Sequence, residues 1–227
     1  MEIVIYIYHG MTMLDAIGPY EILRNLKDVN IKFVASKKGE ITADSQFVHL
    51  NAKYEIDEIQ KADILLIPGS TVGFIREMSD TKVLNWIKKI NKTTSKTVTV
   101  CTGSLILSAT GLLRGKKATS HWKPIEMLSR FGAIPTRERI VEDGKFITSA
   151  GVSAGIDMAL YLASKLKGEK EAKAAQLVIE YDPHPMFQSG NILTAEADII
   201  ELSEMMLMND AKKDFSILET YKNNAGD

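Results

Sequence analysis

The stretch Thr97-Val98-Thr99-Val100-Cys101-Thr102-Gly103-Ser104-Leu105-Ile106-Leu107 decides how the rest of the chain is read. Four β-branched residues, 97–100, have the composition of a buried strand, and an apolar helical pattern over 104–110 starts within a residue or two of their end. The connection must be an abrupt elbow, with Cys101 on it and Gly103 permitting the turn. An elbow lifts the cysteine above the sheet, close to helix N-terminal amides whose partial positive charge favours thiolate over thiol. The competing reading of a lone cysteine is a small buried hydrophobe.

Working outward, further apolar runs at 3–8, 31–35, 64–67 and 146–148 alternate with helical patterns at 20–26, 83–90, 124–131, 156–166 and 170–180. That rhythm predicts an α/β fold, a mostly parallel sheet covered by helices. The near-continuous hydrophobicity of the runs suits strands buried on both faces. Segments 40–50 and 138–148 read as antiparallel excursions, the second turning at Asp143-Gly144. After Pro183-His184-Pro185 the pattern changes to an amphipathic helix over 194–208, with Ile199, Leu202 and Met206 on one side and Met205 nearby. Only about 40 residues follow that break, too few for an independent domain. The expected organisation is one domain over 1–188 and a helical extension over 189–227.

Composition narrows the partners. The chain has 227 residues, 45% hydrophobic and 25% charged, and 28 Lys plus Arg almost cancel 29 Asp plus Glu. This is a soluble globular balance with no general attraction for a polyanion, so no nucleic-acid partner is expected. A single cysteine allows no intrachain disulfide and no cysteine zinc cluster. HExxH, GxxxxGK[ST] and GxGxxG are all missing, which leaves metal hydrolase, nucleotidase and dinucleotide readings without local support. The least charged stretch, 146–164, is interrupted by Gly151, Gly155 and Asp157 and makes a poor membrane span. Met1-Glu2 leads straight into an apolar run without a basic n-region, so a cytoplasmic location is expected.

In an open α/β sheet, ligands bind beyond the carboxyl ends of the strands. Run 3–8 is followed by His9-Gly10 and then Asp15, run 64–67 by Pro68-Gly69-Ser70, and run 97–100 by Cys101-Thr102-Gly103-Ser104. Asp15, among apolar neighbours, reads as a partly buried carboxylate with a raised pKa, able to pass protons to or from the thiol or substrate. It reads equally as a cap for a helix begun by Pro19, and the two roles can coexist. Glu21 is a second nearby carboxylate whose spacing also fits a first-turn helix acid. Gly69 and Ser70 offer backbone N–H groups of the kind an oxyanion hole needs. His9 and His121 read first as hydrogen-bonded structural histidines.

Cys101-Thr102-Gly103-Ser104-Leu105, continuing through Ala109-Thr110-Gly111-Leu112-Leu113 to Ala118-Thr119-Ser120-His121-Trp122, resembles the ThiJ/PfpI superfamily, specifically its isonitrile hydratase branch. Leu14 to Glu21, Ile67-Pro68-Gly69, Gly132 to Pro135, Gly151 to Asp157 and Glu180 to Pro183 match that branch in the same order, so that the resemblance covers roughly residues 1–187. It implies a flavodoxin-like (class I glutamine amidotransferase-like) three-layer sandwich, a homodimer, and neither metal nor organic cofactor. It also implies a reaction, water adding to a small-molecule isocyanide to give an N-substituted formamide. Cys101 would be the nucleophile, forming a thioimidate that water resolves; Asp15 would handle protons, and Thr102 would orient substrate or water. Gly69 and Ser70 match the turn beside the sulfur, with Ser70 where glycine is common, and Glu21 and His121 are possible supporting residues.

The peptidase-like branch places His directly after the cysteine; Thr102 stands there instead, which disfavours a protease. Related blocks occur in transcription regulators with an appended helix-turn-helix domain. The segment after 185 is too short for one and is acidic at Glu196, Asp198, Glu201 and Glu204. Two alternatives stay open, a glyoxalase-like hydratase of methylglyoxal-type α-dicarbonyls and a non-enzymatic thiol sensor of oxidative stress.

Overall fold

The structure is a computed structural model that describes the backbone of residues 1–224 and the side chains of residues 1–213. In chain order the elements are β1 (Glu2–Tyr6), α1 (Met13–Leu23), β2 (Asn30–Ala35), β3 (Gly39–Thr42), β4 (His49–Ala52), β5 (Tyr54–Glu55), β6 (Ile64–Ile67), α2 (Gly73–Glu77), α3 (Thr81–Asn91) and β7 (Lys96–Val100). They continue as α4 (Gly103–Ala109), β8 (Lys117–Ala118), α5 (Met127–Arg130), β9 (Ile134–Pro135), β10 (Ile140–Asp143), β11 (Phe146–Ser149), α6 (Ala154–Lys167), α7 (Glu169–Val178) and α8 (Ala197–Asn224).

The main sheet has seven strands in the order β10-β11-β7-β6-β1-β2-β5. β2, β1, β6, β7 and β11 pair in parallel, and β10 closes one edge antiparallel to β11. The two-residue β5 adds to β2 in parallel at the other edge, and without it the five longer parallel strands, numbered by their turn along the chain, run 2-1-3-4-5, the flavodoxin-like winding. Ile64, Leu65, Leu66 and Ile67 are all fully buried, as are Ile3 and Ile5, because helices cover both faces in a three-layer arrangement. One layer joins α1, α6 and α7, and the other joins α4 with α2, α3 and α5. In α3, Val83, Trp86, Ile87 and Ile90 turn inward at helical spacing, and the Asp80 carboxylate caps the N-terminus by accepting from the amides of Lys82 and Val83.

Two expectations are corrected. Pro19 lies inside α1 rather than at its start, and the helix begins at Met13, so that Asp15 is a helical residue and not a cap. The lost N–H of Pro19 is tolerated because the rest of the helix is packed against α6. The pattern at 124–131 gives only a short helix, Met127–Arg130. The antiparallel excursions are β3 with β4 and β10 with β11, the latter turning through Gly144 at a φ of 66°. The extension expected over 189–227 holds α8, and its last residues, 225–227, lie outside the described residues. No described helix is long and apolar enough to cross a membrane.

Candidate active site

The winding reverses between β1 and β6, and the loops after β1, β6 and β7 converge there. Cys101 leaves β7 at a φ of 57°, a left-handed conformation that costs a non-glycine residue roughly 1–2 kcal/mol. Packing holds it in place. Its amide N–H is shared between the carbonyls of Ser149 and Ala150 at 3.1 Å each, and its carbonyl accepts from the hydroxyls of Ser104 and Ser120, each at 3.1 Å. A Cβ on Gly103 would lie 2.2 Å from the Ile67 carbonyl oxygen, and one on Gly69 2.5 Å from the Thr102 nitrogen. The elbow and the β6 loop therefore touch backbone to backbone. Gly103→Ala is expected to destabilise the fold by about 3 kcal/mol, read as a lower denaturant midpoint; an unchanged midpoint would show that this contact is not tight.

Asp15 is fully buried. Its Oδ2 accepts the Gly69 N–H at 3.0 Å, and its Oδ1 is buried with no partner that meets hydrogen-bond geometry. The carboxyl group neighbours the Cys101 thiol, and burial, reinforced by the charge of Asp44, raises its pKa to about 7 although the Gly69 amide pulls it down. Burial also pushes the thiol up, and so does the charge of Asp15, against the opposing pull of the Thr102 and Val152 amides. The expected helix-terminal stabilisation of a thiolate is thus outweighed. Near neutral pH the carboxyl titrates while the thiol keeps its proton.

The other expected residues divide. The Thr102 hydroxyl donates to the Ser70 carbonyl at 2.9 Å and accepts the Ser70 N–H at 2.8 Å, so it locks two loops, while both the N–H and the side chain of Thr102 also neighbour the sulfur. The Gly69 and Ser70 amides are both engaged inside the protein, to Asp15 and Thr102, and do not form the expected oxyanion hole. The Ser70 hydroxyl accepts the Phe74 N–H at 2.6 Å, which ties down the start of α2. Glu21 is not at the site: it lies on the exposed side of α1, paired with Arg24 at 2.6 Å, because six residues along a helix rotate it well away from Asp15. His121 does line the site, with its Nδ1 accepting the Lys123 N–H at 3.4 Å and its pKa lowered by burial. His9 instead accepts the Thr42 N–H at 3.2 Å and braces the β3–β4 hairpin.

Cys101 and Thr102 form the floor of a cavity of about 250 Å³ whose walls include Phe74, Pro124 and Val152. Sequence reasoning missed Val152, a β-branched residue at a φ of 28° that aims its amide at the sulfur. Its place between Gly151 and Ser153, just after the last parallel strand, was the available signal. Among the described residues no three His, Cys, Asp or Glu side chains converge to hold a metal ion.

A cysteine on a left-handed elbow beside a buried carboxylate, on this winding, coincides with a match of residues 1–165 to the model of the DJ-1/PfpI family. The chain belongs to the DJ-1/PfpI family. Among its relatives is the isonitrile hydratase of Pseudomonas putida, 36% identical over 201 residues that cover 88% of this chain and 87% of that protein. A ThiJ/PfpI family protein from Pseudomonas syringae has a crystal structure that matches 94% of this chain and 88% of its own, with a TM-score of 0.88 at 36% identity. The family also reaches a helix-turn-helix transcriptional regulator of Pseudomonas aeruginosa, 28% identical over 71% of this chain but only 48% of that protein. Family membership therefore fixes the scaffold and leaves the chemistry to the site.

Proposed function

We propose that this protein is an isonitrile hydratase that needs no cofactor and uses Cys101 as nucleophile. The observation that carries the reading is the Asp15 carboxyl, fully buried with a pKa of about 7, beside the thiol of Cys101, a residue that lines an apolar cavity. The likeness to the P. putida enzyme supports it.

An isocyanide carbon carries a lone pair and accepts a nucleophile and a proton at the same atom. Asp15 takes the thiol proton as sulfur attacks, and the S–C bond forms. The same proton then passes from Asp15 to that carbon, which gives a thioimidate, R–N=CH–S–Cys101. Water adds to the C=N carbon, its proton goes to nitrogen, and the tetrahedral adduct collapses to the formamide R–NH–CHO with return of the thiol. The carboxyl suits both directions of transfer because its pKa lies near working pH. The Thr102 and Val152 amides, which face the sulfur, stabilise negative charge as it develops there.

Because the base form of Asp15 starts the reaction, kcat/KM should rise with pH through about 7. A profile flat from pH 5 to 8 would remove Asp15 as the base. The direct test is purified protein with an alkyl isocyanide, with the N-substituted formamide followed by chromatography. Lactate from methylglyoxal without any formamide would replace this reading with the α-dicarbonyl one. A lone thiol kept reduced for catalysis suits the cytoplasm. We also propose a homodimer, in which the exposed Leu177, Val178, Met186, Phe187 and Leu193 are covered; a monomer mass by light scattering would overturn it.

A further inference from the structure

The cavity over Cys101 is lined in part by a segment of the chain that lies outside the family-matched residues 1–165. Glu204, Leu207, Met208 and Ala211 of α8 line it, and their i, i+3, i+4, i+7 spacing puts them on one helix face. Leu202, Met205 and Met206 fall off that face; they are exposed, as is Met208 at 56% even though it borders the cavity. At the rim, Glu204 pairs with Lys123 at 2.5 Å, with both side chains nearly half exposed. Such a pair contributes about 1 kcal/mol at most. It does, however, tie up the lysine that a substrate carboxylate would otherwise meet.

We propose that α8 is the specificity element of this enzyme, with Leu207, Met208 and Ala211 selecting isocyanides that carry a compact, uncharged apolar substituent. The proposal rests on the hydratase reading for the identity of the reacting group but not for the shape of the site. An isocyanide bound with its terminal carbon at the sulfur must project its substituent away from the floor formed by Cys101 and Thr102. The space available is about 250 Å³, the volume of roughly eight water molecules. Ala211 leaves room along this face because its side chain ends at Cβ; Leu207 and Met208 supply the apolar contact. The element that catalyses and the element that selects are then separate in sequence, and α8 can vary without disturbing the elbow.

The test compares kcat/KM for methyl isocyanide with that for 1,1,3,3-tetramethylbutyl isocyanide. Ala211→Phe is expected to lower the bulky-to-small ratio at least about tenfold, and Met208→Ala to raise it severalfold. Met205→Ala, on the exposed face, should leave the ratio at the wild-type value. The same comparison is made on Cys101 alkylation, with iodoacetamide against N-cyclohexylmaleimide, followed by intact mass. Alkylation needs no turnover, so a wild type that hydrates no isocyanide would sink the proposed function while the roof is still judged by the alkylation ratio. If Ala211→Phe fails to fold by circular dichroism, Ala211→Leu takes its place. Unchanged ratios in folded variants, by either readout, would overturn the assignment of α8.

Discussion

Replacing Cys101 with alanine is expected to abolish formamide formation, by at least about 10⁴-fold in kcat, as losses of covalent nucleophiles do. The scaffold should not suffer with it. Alanine at a φ of 57° bears the same left-handed penalty that cysteine bears, and the amide and carbonyl bonds that hold the elbow are main-chain groups that alanine keeps. Removing the thiol also takes a titratable neighbour from Asp15. The variant should therefore melt within a few degrees of wild type, which separates lost chemistry from lost structure. Equal rates of formamide formation by Cys101→Ala and wild type would falsify the nucleophile assignment.

Asp15→Asn should show the second largest effect, and it should move activity and stability in opposite directions. Without a group that can take and return a proton, kcat should fall about 10²–10⁴-fold. Stability follows from linkage. The folded pKa, about 7 against an ordinary 3.8, is raised, so ionising Asp15 is harder in the folded state than in the unfolded one. The stabilisation relative to an ionised chain is fully present below pH 3.8 and lost as pH rises through about 7. Above that, the buried charge costs on the order of 4 kcal/mol. Asparagine carries no such charge. Its stability advantage over wild type should grow between pH 5 and pH 8, as measured by urea midpoints. A variant that is less stable than wild type at pH 8, or one that turns over normally, would contradict the carboxyl's assigned state.

Burial accounts for much of what the sequence hid. Asp15 could be recognised as a candidate because apolar residues surround it, but two readings of it, cap or acid, were equal at that level. The choice came from the Gly69 amide, 54 residues away along the chain, which takes the Oδ2 that a cap would have used locally. Glu21, a second nearby carboxylate whose spacing also fitted an ordinary helix acid, lies on the exposed side of α1 paired with Arg24. Gly69 and Ser70 lie next to the Cys101 elbow, but their amides, which the sequence offered as oxyanion donors, are already satisfied within the fold.

Sequence pattern alone determined the α/β class and the elbow, while the flavodoxin-like winding was implied by the family resemblance. β-branched runs that alternate with helical patterns leave few ways to bury both faces of a sheet, and a strand that meets a helix across two residues forces Cys101 into a turn. Both are local or pattern-level constraints, readable from spacing. Tertiary structure alone decided which side chains are free to act and what covers them: the raised pKa of the buried Asp15 beside Cys101, the Val152 amide at the sulfur, and α8 along the cavity. Those depend on desolvation and on contacts between residues far apart in the chain, and a linear pattern carries neither quantity.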